Sequence, residues 1–430
     1  MTMQGNDKVI AEPCWRGVEK INNKWTILLL LTGALALLYC WFILFPGGIR
    51  PEALTYFQEE QIIQGKNYLF AHRLAYIISF ALQIAVLGWL VFSGKAEALS
   101  ARLSRWTGCG TWGGRLLFFI ILWFLLRFLS LPFSFFTSYW WEQQWGFLTQ
   151  SLSSWWRDYG LSAVINFVLS LGAVAFLFEA MDRWPRGWWV AGAAFTAVWV
   201  FVQTFLWPVL IAPLFNDFTP ARDHEVLRIV EDLSAKAGVE VGDVLIMDAS
   251  RRTTAVNAYF TGLGKTKRIV LYDTLLRDYS LAEVKAVVAH EMAHWKHGHI
   301  LKGIVTGILG SFFFWFLLYF FLEGVRGGKG LYPPHTLAWL MLFLLLLTFL
   351  SRPVESYLSR QMELEADRTA VMLTGDVDGA VALHINLAKK NLADVSPPAF
   401  IEWFSYSHPS TVVRIRSILT FAQDSSIILK

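Results

Sequence analysis

Apolar residues in this chain come in long, nearly unbroken runs set apart by short polar loops. The runs lie near 25–45, 74–94, 116–137, 160–181, 188–212, 303–323 and 336–351. Most are long enough to cross a hydrocarbon core of about 30 Å as helices. The pattern predicts about seven spans, the last being the shortest. A polar tail carrying Lys8, Arg16, Lys20 and Lys24 precedes the first run. No small-residue cleavage site follows it, so it reads as a retained span rather than a signal peptide.

Two stretches break this rhythm. In the first, 213–299, Val226, Leu227, Ile229, Val230 and Leu233 fall at helical spacing, which predicts an amphipathic helix over Glu225–Ala237. Val244–Met247, Thr254–Thr261 and Arg268–Tyr272 read as strands, the last two joined through Gly262-Leu263-Gly264-Lys265. Leu281–His299 reads as a helix, with Ser280 and Glu283 at capping-box spacing before it. The second stretch, 352–430, reads as helical and soluble. The expected organisation is a polar tail (1–24), a five-span region (25–212), the first part of an extramembrane domain (213–299), a two-span hairpin (300–351) and the second part of that domain (352–430). The fold class is mainly α, a multi-pass membrane protein with one split α+β domain.

Composition agrees. Hydrophobic residues are 55% of the chain and charged residues 16%, against about 25% charged in soluble proteins. The 21 Trp and 34 Phe suit membrane–water interfaces. Disorder, collagen and a disulfide-stapled mini-protein are excluded. A net charge of +4 with no basic block argues against nucleic-acid binding. Cys14, Cys40 and Cys109 form no CxxC pair and predict neither a disulfide framework nor a thiolate metal site. Lys and Arg crowd the tail and the loops near 95–115, 183–186 and 326–329. The positive-inside rule then puts the N-terminus in the cytoplasm, and seven spans put the soluble domain on the opposite side.

The strongest chemical signal is His290-Glu291-Met292-Ala293-His294. Histidines four apart share one helical face, the geometry for two nitrogen ligands on one zinc ion. Glu291 is placed as general base toward a metal-activated water. A third protein ligand is needed, and position 300, where a further histidine would mark a metzincin, is Ile300. The next polar segment holds Glu363, Glu365 and Asp367. Glu363 and Asp367 are four apart on one face, which makes Glu363 a candidate to close a zinc site and Asp367 a candidate to orient an imidazole. Spacing alone leaves Glu363 and Glu365 equal as ligands. His297 and His299 fit no simple site and read as solvent-facing. His408, a lone His before Pro, reads by itself as a turn residue.

HEMAHWKHGH followed far downstream by SRQMELEADRTA resembles the membrane-integrated CAAX prenyl proteases and their bacterial relatives, zinc metalloproteases of the HExxH…ExxxD kind. Asn257–Gly262 and Gly264–Leu276 are similar to that family's substrate-binding edge strand and hairpin. Leu131-Pro132-Phe133-Ser134 and Glu142–Phe147 are similar to its LPFS and E-x-x-x-GF signatures. Ser407-His408-Pro409-Ser410 with Arg414 resembles its HPP…R motif. Departures are Ser410 in place of a second proline and Leu148 in place of Asn. The resemblance implies a chamber enclosed by seven helices with the zinc site at its rim, and one zinc held by His290, His294 and Glu363. It implies Asp367 and Arg414 as supports, His408 at the oxyanion, and Asn257, Ala258 and Tyr259 against an extended substrate. It implies endopeptidase action on peptides or proteins, among them isoprenylated CAAX C-termini, in a bacterial inner or ER-type membrane with no obligate protein partner. In a bacterium the role becomes turnover of membrane proteins without prenyl dependence.

Two other readings stay open on sequence. A site-2-type intramembrane protease also carries HExxH, but inside a span and with an aspartate ligand in another span; here Asp376 and Asp378 sit outside any span, and Lys285, Lys296, His297 and His299 make a wet context. A non-catalytic zinc-binding scaffold or transporter would need four protein ligands, and only three are found. Arg127, Gln83 and Glu179, in or near spans, read either as chamber-lining or as helix-end residues.

Overall fold

The computed structural model describes residues 23–107, 112–262, 267–325 and 332–425. The expectations placed on Lys8, Cys14, Arg16, Lys20, Cys109, Lys265, Arg326 and Lys329 lie outside them. Helices α1 (Asn23–Leu44), α2 (Glu59–Phe92), α3 (Lys95–Thr107) and α4 (Trp112–Phe135) come first. A π-turn at Phe136–Trp140 leads into α5 (Trp141–Gln144). Then come α6 (Leu152–Arg183), α7 (Trp188–Phe205), α8 (Trp207–Leu210), strand β1 (Phe218–Pro220) and α9 (His224–Ala237). Strands β2 (Asp243–Met247), β3 (Ala258–Thr261) and β4 (Arg268–Tyr272) precede α10 (Asp273–Asp278), α11 (Leu281–Lys296) and α12 (His299–Leu322). The chain closes with α13 (Thr336–Thr374), α14 (Val377–Lys390), α15 (Ala399–Ser405) and α16 (Thr411–Asp424).

Among the described residues, seven helices are long and apolar enough to cross a membrane. They match the seven predicted runs. Two are longer than the apolar pattern shows. The second starts at Glu59, fifteen residues before its apolar run, and the seventh continues to Thr374. At 39 residues, α13 is about 58 Å long, nearly twice the hydrocarbon thickness. One continuous helix therefore runs through position 352 and carries Glu363 and Asp367 out of the membrane.

Three cavities of ≈ 510, ≈ 420 and ≈ 430 Å³ lie between the spans. Arg127 and Asn166 line the first two, and Gln83 and Ser130 line the second and third. They make up the chamber. Arg127 stacks on Tyr159, 4.3 Å from the ring centroid. Glu179 takes the helix-end alternative: it is exposed and pairs with Arg183 at 3.9 Å.

The extramembrane sheet has the order β1-β2-β4-β3. β2 and β4 run parallel, with Leu245 beside Val270, and β3 pairs antiparallel to β4, with Tyr259 beside Val270. β3 is an edge strand, and it begins at Ala258 rather than at Thr254 as the apolar pattern suggests. Residues 253 and 254 are taken up elsewhere. Thr253 bridges to Leu148, and the Thr254 N–H donates to Phe147 O at 2.9 Å. The GF signature of the membrane region is thereby tied to the segment that enters the edge strand. Leu148, one of the two departures, sits in this bridge.

α11 forms the centre of the second core. Val288, Ala289, Met292 and Ala293 are fully buried against the sheet, α9 and α13. Its start obeys the capping box: the Ser280 N–H donates to Glu283 Oε2 at 2.9 Å, and Ser280 Oγ accepts from the Glu283 N–H. Its end departs from expectation. Gly298 adopts φ +63°, a left-handed conformation that suits glycine, and His299 opens a new helix.

Candidate active site

α11 presents His290 and His294 one turn apart, and α13 brings Glu363 to meet them. The two Nε2 atoms are 3.1 Å apart. Glu363 Oε2 is 3.3 Å from Nε2 of His290, and Oε1 is 3.4 Å from Nε2 of His294. Donors about 2.0–2.1 Å from a tetrahedrally bound ion stand about 3.3 Å from one another, so this triangle has the size a metal requires. Glu363 Oε2 is buried and makes no hydrogen bond among the described residues. A buried carboxylate oxygen with no hydrogen bond, on a group facing two imidazoles, is satisfied by a cation. The residues fit a metal ion.

Behind the triangle lies a charged layer. Asp367 Oδ1 is 2.9 Å from Nδ1 of His290. Arg414, from α16, donates to both oxygens of Asp367 at 2.7 and 2.6 Å and reaches Glu363 Oε2 at 3.4 Å. Burial works against the charge of Arg414, but Asp367 and Glu363 outweigh it and raise its pKa. Burial also works against a charge on His290. Its contacts with Asp367 and Glu363 prevail and raise its pKa to about 10, so in the metal-free protein the ring carries a proton where a metal ion would sit. Burial raises the pKa of Glu291, opposed by His290 and His294 nearby.

A cavity of ≈ 250 Å³ opens over the site, and Asn257, Ala258, His290, Glu291, Glu363 and His408 line it. His408 Nε2 is 3.5 Å from Glu363 Oε1, and its Nδ1 lies 2.9 Å from Ser407 Oγ. Every sequence-predicted site residue except Tyr259, His294 and Asp367 borders this space; His294 lies one turn beyond His290, Asp367 lies behind His290, and Tyr259 is on β3 next to Ala258. Ser410, the second departure, is buried, and its N–H donates to Glu402 Oε1 at 2.9 Å. Asp376 caps α14 through the Gly379 N–H at 2.7 Å, a structural role.

Three site neighbours have places that the sequence did not show. His384, on α14, is 3.4 Å from Asp367 Oδ1. His299, expected to face solvent, is buried, with its Nδ1 2.9 Å from Nδ1 of His294. Glu365 is not in the triangle; it faces Nε2 of His299 at 2.9 Å and Nδ1 of His297 at 3.1 Å. His297 is only partly exposed and meets Thr369 Oγ1 at 2.7 Å. Both histidines are thus network members.

Comparison with known proteins fits this geometry. Residues 220–422 match the family described as Peptidase family M48, and residues 49–217 match the CAAX prenyl protease N-terminal region of five membrane helices. CAAX prenyl protease 1 of Saccharomyces cerevisiae is 32% identical over 68% of this chain and 69% of its own length. The chain belongs to the membrane-integrated CAAX prenyl proteases of peptidase family M48. It is an integral membrane metalloendopeptidase, and membership implies a bound metal and peptide substrates. A Bacillus subtilis relative, the uncharacterized metalloprotease YhfN, is 29% identical over 88% of this chain and 92% of its own length. The crystal structure of S. mikatae Ste24p shares the fold, with a TM-score of 0.78 and 24% identity over 91% of this chain and 98% of that one.

Proposed function

We propose that this protein is a zinc endopeptidase that cuts near the C-terminus of membrane-associated chains, with isoprenylated CAAX peptides as the first substrate class. One observation carries the reading. His290 and Glu363 of the donor triangle, Glu291 and the entry to the edge strand β3 all border a single cavity. His290, His294 and Glu363 hold the metal, and Asp367, backed by Arg414, orients His290. Zinc held in this way supplies Lewis acidity and a water of lowered pKa at its open position. Glu291 accepts the proton of the attacking water and passes it to the leaving amine. His408 donates to the developing oxyanion. The substrate backbone adds to the open edge of β3 beside Asn257, Ala258 and Tyr259, which holds the scissile bond over Glu291. The prenyl preference is carried over from the names of the relatives.

A second reading, cleavage of membrane proteins without a prenyl group, draws support from the polar groups Arg127, Ser162, Asn166 and Gln203 in the cavity of ≈ 510 Å³. Those groups suit peptide more than an isoprenoid chain. The test is cleavage of matched farnesylated and unmodified CAAX peptides by purified protein in detergent. Cleavage of the farnesylated peptide alone supports the first reading, and equal cleavage of both supports the second. Failure to cut either while an unrelated membrane-protein peptide is cut would remove the C-terminal preference.

A further inference from the structure

Nδ1 of His294 meets no carboxylate. Asp367 meets Nδ1 of His290 directly, whereas Nδ1 of His294 meets a second imidazole, that of His299, at 2.9 Å. Two ring nitrogens at that distance share one proton. Which ring owns it decides what the far nitrogen of His294 offers to the site.

The choice is made at the other end of the chain of contacts. Nε2 of His299 lies 2.9 Å from Glu365 Oε2. An ionised carboxylate only accepts, so Nε2 of His299 carries its proton. A neutral imidazole that carries its hydrogen on Nε2 has none on Nδ1. Nδ1 of His299 is therefore a lone pair and accepts from Nδ1–H of His294. Nε2 of His294 is left bare, 3.1 Å from Nε2 of His290 and 3.4 Å from Glu363 Oε1. The opposite arrangement would put a hydrogen on Nε2 of His294, where a ligand's electron pair belongs. Glu365 is itself fixed, by His297 Nδ1 at 3.1 Å and Lys302 Nζ at 3.4 Å. The left-handed turn at Gly298 makes the relay by swinging His299 back over His294.

We propose that Glu365 and His299 form a relay that sets the tautomer of His294 and aims its Nε2 lone pair at the metal position. The relay rests on the metal-site reading above. His299 and Glu365 are positioning residues; neither offers an atom to the metal position.

The test is zinc affinity of the full-length protein in detergent, measured by competition with a chromogenic chelator. His299→Phe keeps a ring of similar shape and removes the acceptor, and affinity is expected to fall about 10- to 100-fold. His299→Asn places a carbonyl oxygen near the lost Nδ1 and is expected to recover most of it, which a purely space-filling role would not do. Glu365→Ala, at a partly exposed position that does not threaten folding, is expected to weaken zinc several-fold, within the same range. A wild type that binds no zinc overturns the metal site itself, and the relay with it. A wild type that binds zinc, with Glu365→Ala binding as tightly, overturns the relay alone. So does a His299→Asn variant no better than His299→Phe. Should His299→Phe fail to fold, Glu365→Ala decides.

Discussion

Two arginine–aspartate pairs lie at opposite ends of the molecule. At the far ends of the spans, Arg115 grips Asp182 through two contacts of 2.5 and 2.8 Å and also donates to Tyr332 O. At the metal site, Arg414 grips Asp367 at 2.7 and 2.6 Å. The pairs look alike, and their surroundings differ. The other neighbours of Arg115 are rings, Phe178 at 4.6 Å and Trp112 at 5.6 Å. Asp367 also faces His290 at 2.9 Å and His384 at 3.4 Å, and Arg414 reaches Glu363. The first pair ties α4 to α6 and to the entry of α13. The second pair transmits its charge to a reactive group. A buried ion pair is weak evidence of function; the contacts beyond the pair are what separate the two.

The comparison breaks most visibly with the arginines. Arg414→Met leaves Asp367 buried without its counter-charge, and a loss of about 3–5 kcal/mol of stability is expected. Arg115→Met is expected to cost less, because the Asp182 side chain it leaves is 29% exposed. The two should separate in zinc content, which the first variant loses and the second keeps once both are assayed below their unfolding temperatures. Equal zinc retention would erase the distinction drawn here.

Subtler changes sharpen it. Asp367→Asn keeps the shape and removes the charge behind His290, so zinc affinity should fall about 10- to 100-fold. Asp182→Asn should leave zinc affinity unchanged. A chelator titration of both variants decides.

The smallest effect, reckoned per pH unit, concerns pH. In the metal-free protein His290 keeps its proton up to about pH 10, against 6.5 for a free imidazole. The stabilisation that this proton brings to the metal-free fold is complete below 6.5 and is lost as pH rises through about 10. Metal binding in this window must expel the proton, so zinc affinity should climb roughly tenfold per pH unit. Calorimetry in buffers of different ionisation enthalpy should register about one proton released per zinc from this ring. An affinity that does not vary with pH would show that Asp367 does not hold that proton.

Local signals made the fold and half of the site legible. Seven apolar runs, a capping box and two histidines four apart are short-range patterns, and each became the element it predicted. Glu363 and Glu365 could not be ranked by spacing. Two residues apart on a helix they point to nearly opposite sides, and both are used, Glu363 in the triangle and Glu365 beneath His299. His299 was misread because the helix was expected to continue through it. Five residues along an unbroken helix turn about 140° away, whereas the break at Gly298 brings the two rings to a centroid distance of 5.0 Å. A glycine followed by His, just after an HExxH helix, is the signal that was available. His384 gives no such signal, since it meets Asp367 only through the packing of α14.

The most direct test of the central claim is to measure zinc content and peptide cleavage together in wild type and Glu291→Gln. Glu291 borders the donor triangle without belonging to it. One zinc per chain is expected in both proteins, with cleavage reduced at least about 100-fold in the variant. Equal cleavage by both proteins, or loss of zinc along with activity in the variant, would contradict the assignment of Glu291 as base beside a metal held by His290, His294 and Glu363.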